Sequence, residues 1–367
     1  MEKMKVYVNA YLKYNLGDDL FVKILSDRYK NITFYSYSDY NYKNVFKSSN
    51  LKIYGGNFYK MINRIIKGVT LKKYRLADSL VKRYKFTIFI GGSMFIQNSN
   101  KVEKSILEKA KEYYVLGSNF GPYNNKEYYN YYKNVFEKAN DVCFRDKNSY
   151  EKFKDLKNVR WAPDIVFTLD TSNISIKNNK KVVISIIDCS RKNNCEYKDR
   201  YEKKIIEISE YFIRKGYEVI MMSFCKFEGD ELAIESIYSK CNDDLKQKLK
   251  KYYYRGNIEE ALNVMADCQI IVGTRFHANI LGLLLGKKII PIAYSEKTIN
   301  VLKDMNFEGK IIKLREIDKL NVDNILDNQE FKYKNNDISF QIENAEKQFV
   351  MVDEILREEV RDGRIKN

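Results

Sequence analysis

The residues best suited to chemistry lie between Ile270 and Lys297, in the stretch IIVGTRFHANILGLLLGKKIIPIAYSEK. It holds His277, the only histidine among 367 residues, and Pro291, one of three prolines. Arg275 and His277 stand two residues apart after one apolar run, and Lys297 follows a second. A guanidinium offers fork geometry to a phosphate or carboxylate, an ammonium adds a point charge, and an imidazole exchanges protons near neutral pH. A lone histidine can equally be a satisfied polar residue with no chemistry. Two cations beside it favour an anion site, with Gly273 and Tyr294 at the two turns completing the set.

The surrounding pattern reads as strand (Gln269–Val272), tight turn, apolar helix (Ala278–Leu285), Gly286 as a stop, and a second strand (Lys288–Ala293). In an open α/β sheet, ligands bind at the carboxyl ends of strands, where helix N-termini present unpaired N–H groups to anions. Arg275 and His277 fall at such an end, and Lys297 reaches it from the next strand.

The first half repeats the arrangement. Lys5–Val8 reads as a strand, followed by Asn15-Leu16-Gly17-Asp18-Asp19 and a helix. Gly17 permits a tight turn, and Asp18 or Asp19 can cap the helix or face a ligand. Phe86–Ile90 is a continuous apolar run, as expected of a strand buried on both faces of a parallel sheet, and it delivers Gly91-Gly92-Ser93. Asp141–Phe144 leads into Arg145-Asp146. Alternation of this regularity predicts doubly wound parallel sheets. The polar stretch Asp170–Lys180 reads as a linker. After it the pattern restarts at Lys181–Ile187, and the acidic residues of Glu228-Gly229-Asp230 read as a helix start. Ile342, Ala345, Phe349, Val352 and Leu356 recur at helical spacing near the end.

Composition narrows the class. The length suits roughly two domains of 150–200 residues, and a hydrophobic content of 44% with 14% aromatics is ample for packed cores. Six scattered cysteines lack paired spacing, so they read as small buried hydrophobes in a reducing compartment. With one histidine and no CxxC, no zinc or other metal site is expected. The formal charge of +16 is spread through segments that also carry Asp and Glu. No basic stripe suggests nucleic acid; the excess suits anionic substrates or an acidic membrane surface. No apolar run approaches the ~18 residues of a membrane span, and the N-terminus reads as a strand rather than a signal peptide, so a cytoplasmic protein is expected, with peripheral contact to the inner membrane surface compatible.

Taken together, the motifs resemble the polysaccharide pyruvyl transferase family. The resemblance runs from about Asn15 to Met305 and rests on Asn15-Leu16-Gly17-Asp18, Gly91-Gly92-Ser93-Met94-Phe95, Gly121-Pro122-Tyr123, Arg145-Asp146 with Ser149, and Pro163-Asp164 with Phe167. It continues through Ser223-Phe224 with Glu228-Gly229-Asp230, and Arg275-Phe276-His277-Ala278 with Pro291, Tyr294 and Lys297. Two glycines stand at 91–92 where the family often has three, and Phe276 replaces a commoner leucine.

The resemblance implies a GT-B-like fold: two Rossmann-like doubly wound domains facing a cleft. Their expected extents are 1–172 on the acceptor side and 178–330 on the donor side, with a C-terminal amphipathic helix in 331–367. It implies transfer of pyruvate from phosphoenolpyruvate, as co-substrate and without cofactor or metal, to two hydroxyls of a sugar. The acceptor would belong to a cell-wall or capsular polysaccharide or its lipid-linked precursor. On this reading Arg275, His277, Lys297, Gly273 and Tyr294 bind the donor. Arg275, His277 and Lys297 do the chemistry, with His277 either a general acid or a phosphate-binding donor. Asn15, Asp18, Gly92, Ser93 and Arg145 face the acceptor, with Asp18 as base. Two other readings fit the same architecture: a nucleotide-sugar-dependent glycosyltransferase, and a catalytically silent sugar-binding relative.

Overall fold

The computed structural model describes residues 4–42, 45–46, 50–71, 74–97, 99, 101–192, 194–323, 325–326 and 337–356. The chain forms two compact units. The first takes the chain up to Lys13, from Asp18 to Leu169, and again from Phe340; the second takes Tyr14–Gly17 and Asp170–Ser339. The division thus departs from the expected 1–172, 178–330 and 331–367 in two places. The short segment Tyr14–Gly17 clusters with the second unit, and the C-terminal segment returns to the first. Residues 331–336 and 357–367 of that expected helix lie outside the described residues.

In the first unit, β1 (Lys5–Asn9), α1 (Leu16–Arg28), β2 (Thr33–Tyr37) and β3 (Leu51–Tyr54) are followed by α2 (Asn57–Val69), α3 (Leu76–Arg83) and β4 (Phe86–Ile90). Then come β5 (Glu112–Ser118), α4 (Lys126–Glu137), β6 (Asp141–Phe144), α5 (Lys147–Glu151) and β7 (Val159–Trp161). Their parallel order is β3-β2-β1-β4-β5-β6-β7, so the winding reverses between β1 and β4. Every residue of β4 is buried, which is why its run is apolar without alternation. The tyrosine-rich α4 buries Tyr128, Tyr132, Val135 and Phe136 in an aromatic core around Phe95, Phe120 and Phe153.

The second unit carries β8 (Lys181–Ser185), α6 (Lys198–Arg214), β9 (Glu218–Ser223), α7 (Asp230–Lys240), α8 (Asp243–Lys248) and β10 (Leu249–Tyr253). It continues through α9 (Ile258–Ala266), β11 (Ile270–Gly273), α10 (Phe276–Leu284), β12 (Lys288–Ala293), α11 (Glu296–Asp304) and β13 (Ile312–Lys313). Its parallel order is β10-β9-β8-β11-β12-β13, with the reversal between β8 and β11. Gly273 stands in register with Ser185 on one side and Pro291 on the other, so β8 and β11 end at one level while β12 runs on to Ala293.

The last segment begins with α12 (Ser339–Ala345) and remains helical to Leu356. Ala345, Phe349, Val352 and Leu356 are buried as the spacing predicts, whereas Ile342 is exposed. Gln348 is fully buried: its Nε2 donates to the Ala162 and Pro163 carbonyls at 2.9 and 3.1 Å, and its Oε1 accepts from Gly117 N at 3.0 Å. Asp353 accepts from Arg28 Nη2 at 2.7 Å and from the Tyr29 hydroxyl at 2.7 Å.

Candidate functional site at the carboxyl edge of the second sheet

Arg275 leaves β11 at the point where the winding reverses. Its main-chain N–H and that of Thr274 donate to the Ser185 hydroxyl, at 3.1 and 2.9 Å, so the last residue of β8 fixes the turn. The guanidinium is buried among carboxylates. Nε donates to Asp230 Oδ2 at 2.9 Å, Nη2 to Asp230 Oδ1, and Nη1 to Glu228 Oε2. Asp230 also accepts from the Phe224 and Cys225 amides, each at 2.9 Å. Burial pushes Asp230 above its ordinary range, opposed by Arg275 and the two amides. Four donors aimed at one carboxyl require its ionised form. Burial alone would lower Arg275; Asp230 and Glu228 outweigh it and hold the guanidinium protonated, well above its usual value.

Arg275, expected to bind the donor, sits in this shell of carboxylates. The cation that looked available from sequence is committed to two carboxylates that looked like the start of a helix. Arg275 is a positioning residue: it ties the loop after β9 to the loop after β11.

The same cluster holds Tyr14–Gly17. Asn15 bridges Cys225 in antiparallel fashion, Leu16 N donates to Phe224 O at 3.0 Å, and Asn15 Nδ2 donates to Glu228 Oε1 at 3.3 Å. Asn15 Oδ1 accepts from Gly17 N at 3.2 Å. Asn15, expected to face an acceptor from the first domain, instead supports the Arg275 shell. Gly17 lies against the imidazole of His277, where a Cβ would overlap the ring at Nδ1. No other residue fits at position 17 without moving the histidine.

His277 is half-buried in the first turn of α10, its ring edge-on to Phe276 at 5.0 Å between centroids. Lys297 occupies the first turn of α11, with Nζ 5.4 Å from the centroid of the Tyr294 ring. Flanking Lys297 in sequence is a feature the motifs did not announce. Ser295 Oγ and Thr298 Oγ1 are enclosed at the start of α11, and neither has a hydrogen-bond partner among the described residues. Gly273 is where the buried Asn279 side chain packs, and its carbonyl accepts from Asn279 Nδ2 at 2.9 Å. That contact explains the glycine without a ligand.

The remaining expected residues belong to the first unit. Arg145 is buried, donating through Nη1 to Asp164 Oδ2 and through Nη2 to Asn119 Oδ1, both at 2.9 Å. Gly92 lies flat on this guanidinium, where a Cβ would come within 2.6 Å of Nη1. Asp18 Oδ1 lies 3.5 Å from the corresponding position on Gly91, and Ser93 is exposed on the same loop. The first unit therefore gathers Asp18, Gly92, Ser93 and Arg145 at one edge. Among the described residues, no group of three or more His, Cys, Asp and Glu side chains is arranged to hold a metal ion.

Two doubly wound units of this order define the GT-B-like class, and comparison with solved structures agrees. Methanocaldococcus jannaschii UDP-GlcNAc 2-epimerase in complex with UDP-GlcNAc and UDP matches with a TM-score of 0.55 at 10% identity, covering 96% of this chain and 100% of that one. Anabaena Alr3699/HepE in complex with UDP and glucose matches with a TM-score of 0.54 at 9% identity, covering 100% of both. At such identities the likeness concerns the fold alone. The family model for polysaccharide pyruvyl transferase matches residues 15–296, and the chain belongs to that family. The amylovoran biosynthesis protein AmsJ of Erwinia amylovora is 24% identical over 257 residues, which are 61% of this chain and 60% of AmsJ.

Proposed function

We propose that this protein transfers pyruvate from phosphoenolpyruvate to two hydroxyls of one sugar in a surface polysaccharide or its lipid-linked precursor, releasing phosphate and leaving a cyclic ketal. The observation that carries this reading is the grouping at the starts of α10 and α11. His277, Lys297 and the two enclosed hydroxyls of Ser295 and Thr298 stand on adjacent strand exits. Two helix N-termini, an ammonium and two hydroxyl donors suit a small ligand carrying both phosphate and carboxylate.

The chemistry assigns His277 a proton. An imidazolium protonates the methylene carbon, C2 becomes electrophilic, and the first sugar hydroxyl adds there. The bond from C2 to the phosphate oxygen then breaks, and the second hydroxyl closes the ketal. Of the two hydroxyl protons released, one restores the imidazolium and the other leaves with phosphate. Lys297 stabilises charge on the departing phosphate, and Arg275 acts at one remove, through Glu228, Asn15 and Gly17, by fixing the ring of His277.

The test measures phosphate release from phosphoenolpyruvate by purified protein with a panel of candidate saccharides, alongside calorimetric binding of phosphoenolpyruvate and of UDP-sugars. Saturable binding of phosphoenolpyruvate and acceptor-dependent phosphate release are expected. Binding of a UDP-sugar without any binding of phosphoenolpyruvate would overturn the reading in favour of glycosyl transfer.

A further inference from the structure

Helix α2 of the first unit is apolar on two sides. Its inner side is anchored: Tyr59 meets Tyr54 edge-on at 5.4 Å, and the buried Asn63 accepts from Leu76 N at 3.0 Å. Its outer side should then be polar, since a surface helix has one face to bury. Instead Phe58 is 62% exposed, Met61 53%, Ile65 56% and Val69 81%. At about 100° per residue these four fall within roughly 80° of the helix circumference, and the exposed Leu71 follows them directly. Solvent-facing apolar surface gathered in this way marks an interaction site.

Charge decides which kind. Lys60, Arg64 and Lys67 lie along one flank of the apolar arc, and Lys72, Lys73 and Arg75 follow in sequence. From Asn57 to Arg75 the chain contains no Asp or Glu, although elsewhere its cations are interleaved with carboxylates. A second copy of the chain would set these cations against their own kind. A nucleic acid would meet Phe58 and Ile65 where its phosphates need cations. An apolar arc with a basic flank matches a surface that is anionic outside and hydrocarbon beneath.

We propose that the outer face of α2 is a docking surface for anionic phospholipid membrane. Phe58, Met61, Ile65 and Val69 enter the boundary between headgroups and acyl chains, and the basic flank pairs with lipid phosphates. The surface holds the protein at the bilayer by contact alone. None of the helices among the described residues is long and apolar enough to cross one. The inference does not depend on the pyruvyl transfer reading, because its test contains neither donor nor acceptor.

The experiment is co-sedimentation of the full chain with vesicles of phosphatidylcholine, or of one part phosphatidylglycerol to two parts phosphatidylcholine. Binding to the anionic vesicles is expected to be at least about tenfold tighter and to weaken with salt. Phe58→Ser with Ile65→Ser should lower it by about tenfold or more. Lys60→Ala with Arg64→Ala should lower it and flatten its salt dependence. Leu232→Ser, at an equally exposed apolar residue of α7, should change nothing. Circular dichroism and melting temperature confirm that each variant is folded. Equal binding to both vesicle types, full binding by the Phe58/Ile65 variant, or concentration-dependent self-association abolished by that variant would each overturn the proposal.

Discussion

Arg145 and Arg275 look alike in the sequence, each directly or shortly after a strand. Both are buried, and both donate to an aspartate that also accepts from main-chain amides: Val166 N reaches Asp164 at 2.9 Å, as the Phe224 and Cys225 amides reach Asp230. Both lie in a shell closed by a glycine that has no room for a Cβ. The difference is in the count of anions. Arg145 meets one carboxylate and one neutral amide oxygen, that of Asn119. Arg275 meets two carboxylates, Asp230 and Glu228. Taken with these named partners alone, and all ionised, the first guanidinium is balanced and the second is outnumbered by one charge. On the proposed reading, an anionic substrate relies on His277, Lys297 and helix termini. The contrast teaches that two arginines alike at strand exits can differ in the carboxylates that surround them.

The largest effect should come from deleting each cation. Arg275→Ala leaves the buried Asp230 and the half-buried Glu228 around a void and should cost about 3–5 kcal/mol, toward the upper end of that range. Arg145→Ala strands one carboxylate and should fall toward the lower end. The single tryptophan, Trp161 in β7, reports on the first unit during urea denaturation, and hydrogen exchange of β8, β9 and β11 reports on the second. An Arg145→Ala cost equal to or above that of Arg275→Ala would break the comparison. Replacing Asp230 by Asn in an Arg275→Met background should recover part of the loss, because a stranded charge accounts for most of it.

The comparison also separates what the chain discloses locally from what it does not. Phe86–Ile90 is legible as a buried strand because every one of its residues faces core. The pattern of strand exits at Gly91, Arg145 and Arg275 is legible because glycines and cations punctuate apolar runs. By contrast β10, with the sequence LKKYY, exposes Lys250 and Lys251 at the sheet edge and offers neither a continuous nor an alternating apolar run. Glu228 and Asp230 read as a helix start because their true partner stands 47 and 45 residues away. Asn15 is harder still: its contact with Glu228 spans 213 residues, and no local property of an Asn-Leu-Gly-Asp turn reveals which unit it will join. The unpartnered hydroxyls of Ser295 and Thr298 are an outcome of packing, and only coordinates display them.

Next in size are the changes that act on the ring of His277. His277→Ala should lower turnover about 10²–10⁴-fold while the protein stays folded, as expected for loss of a proton donor. Gly17→Ala should reproduce much of that loss without touching the imidazole chemically, since the new Cβ displaces the ring. Its stability cost should be about 1–3 kcal/mol. Gly92→Ala, the equivalent change in the first shell, presses on Arg145 instead, and a similar cost should come with a smaller loss of turnover. Equal turnover losses for the two glycine variants would erase the distinction between a shell that orients His277 and one that does not. Lys297→Ala should raise KM for phosphoenolpyruvate by roughly ten- to a hundredfold if it binds the departing phosphate in the ground state as well as in the transition state.

The finest test uses thiols as reporters on the two shells. Cys143 lies two residues before Arg145, and the amide of Cys225 donates to Asp230. Both thiols are buried, and burial pushes each up to about 12. A thiolate therefore forms only when its shell opens, and labelling rates measure local opening rather than intrinsic reactivity. The sign for stability follows: a folded pKa raised above the ordinary value near 9 contributes stability that is complete below that value and is lost as pH rises toward 12. In the native protein the exposed Cys195 should react at least about a hundredfold faster than either buried thiol. Replacing it by serine should shift stability by less than about 0.5 kcal/mol, leaving a clean background. In that background Arg275→Lys keeps the charge but loses the fork, and should speed labelling of Cys225 while leaving Cys143 unchanged. Arg145→Lys should do the reverse. If either substitution exposed both thiols together, the two shells would open as one cooperative element, and the separate accounts of their charge would have to be merged.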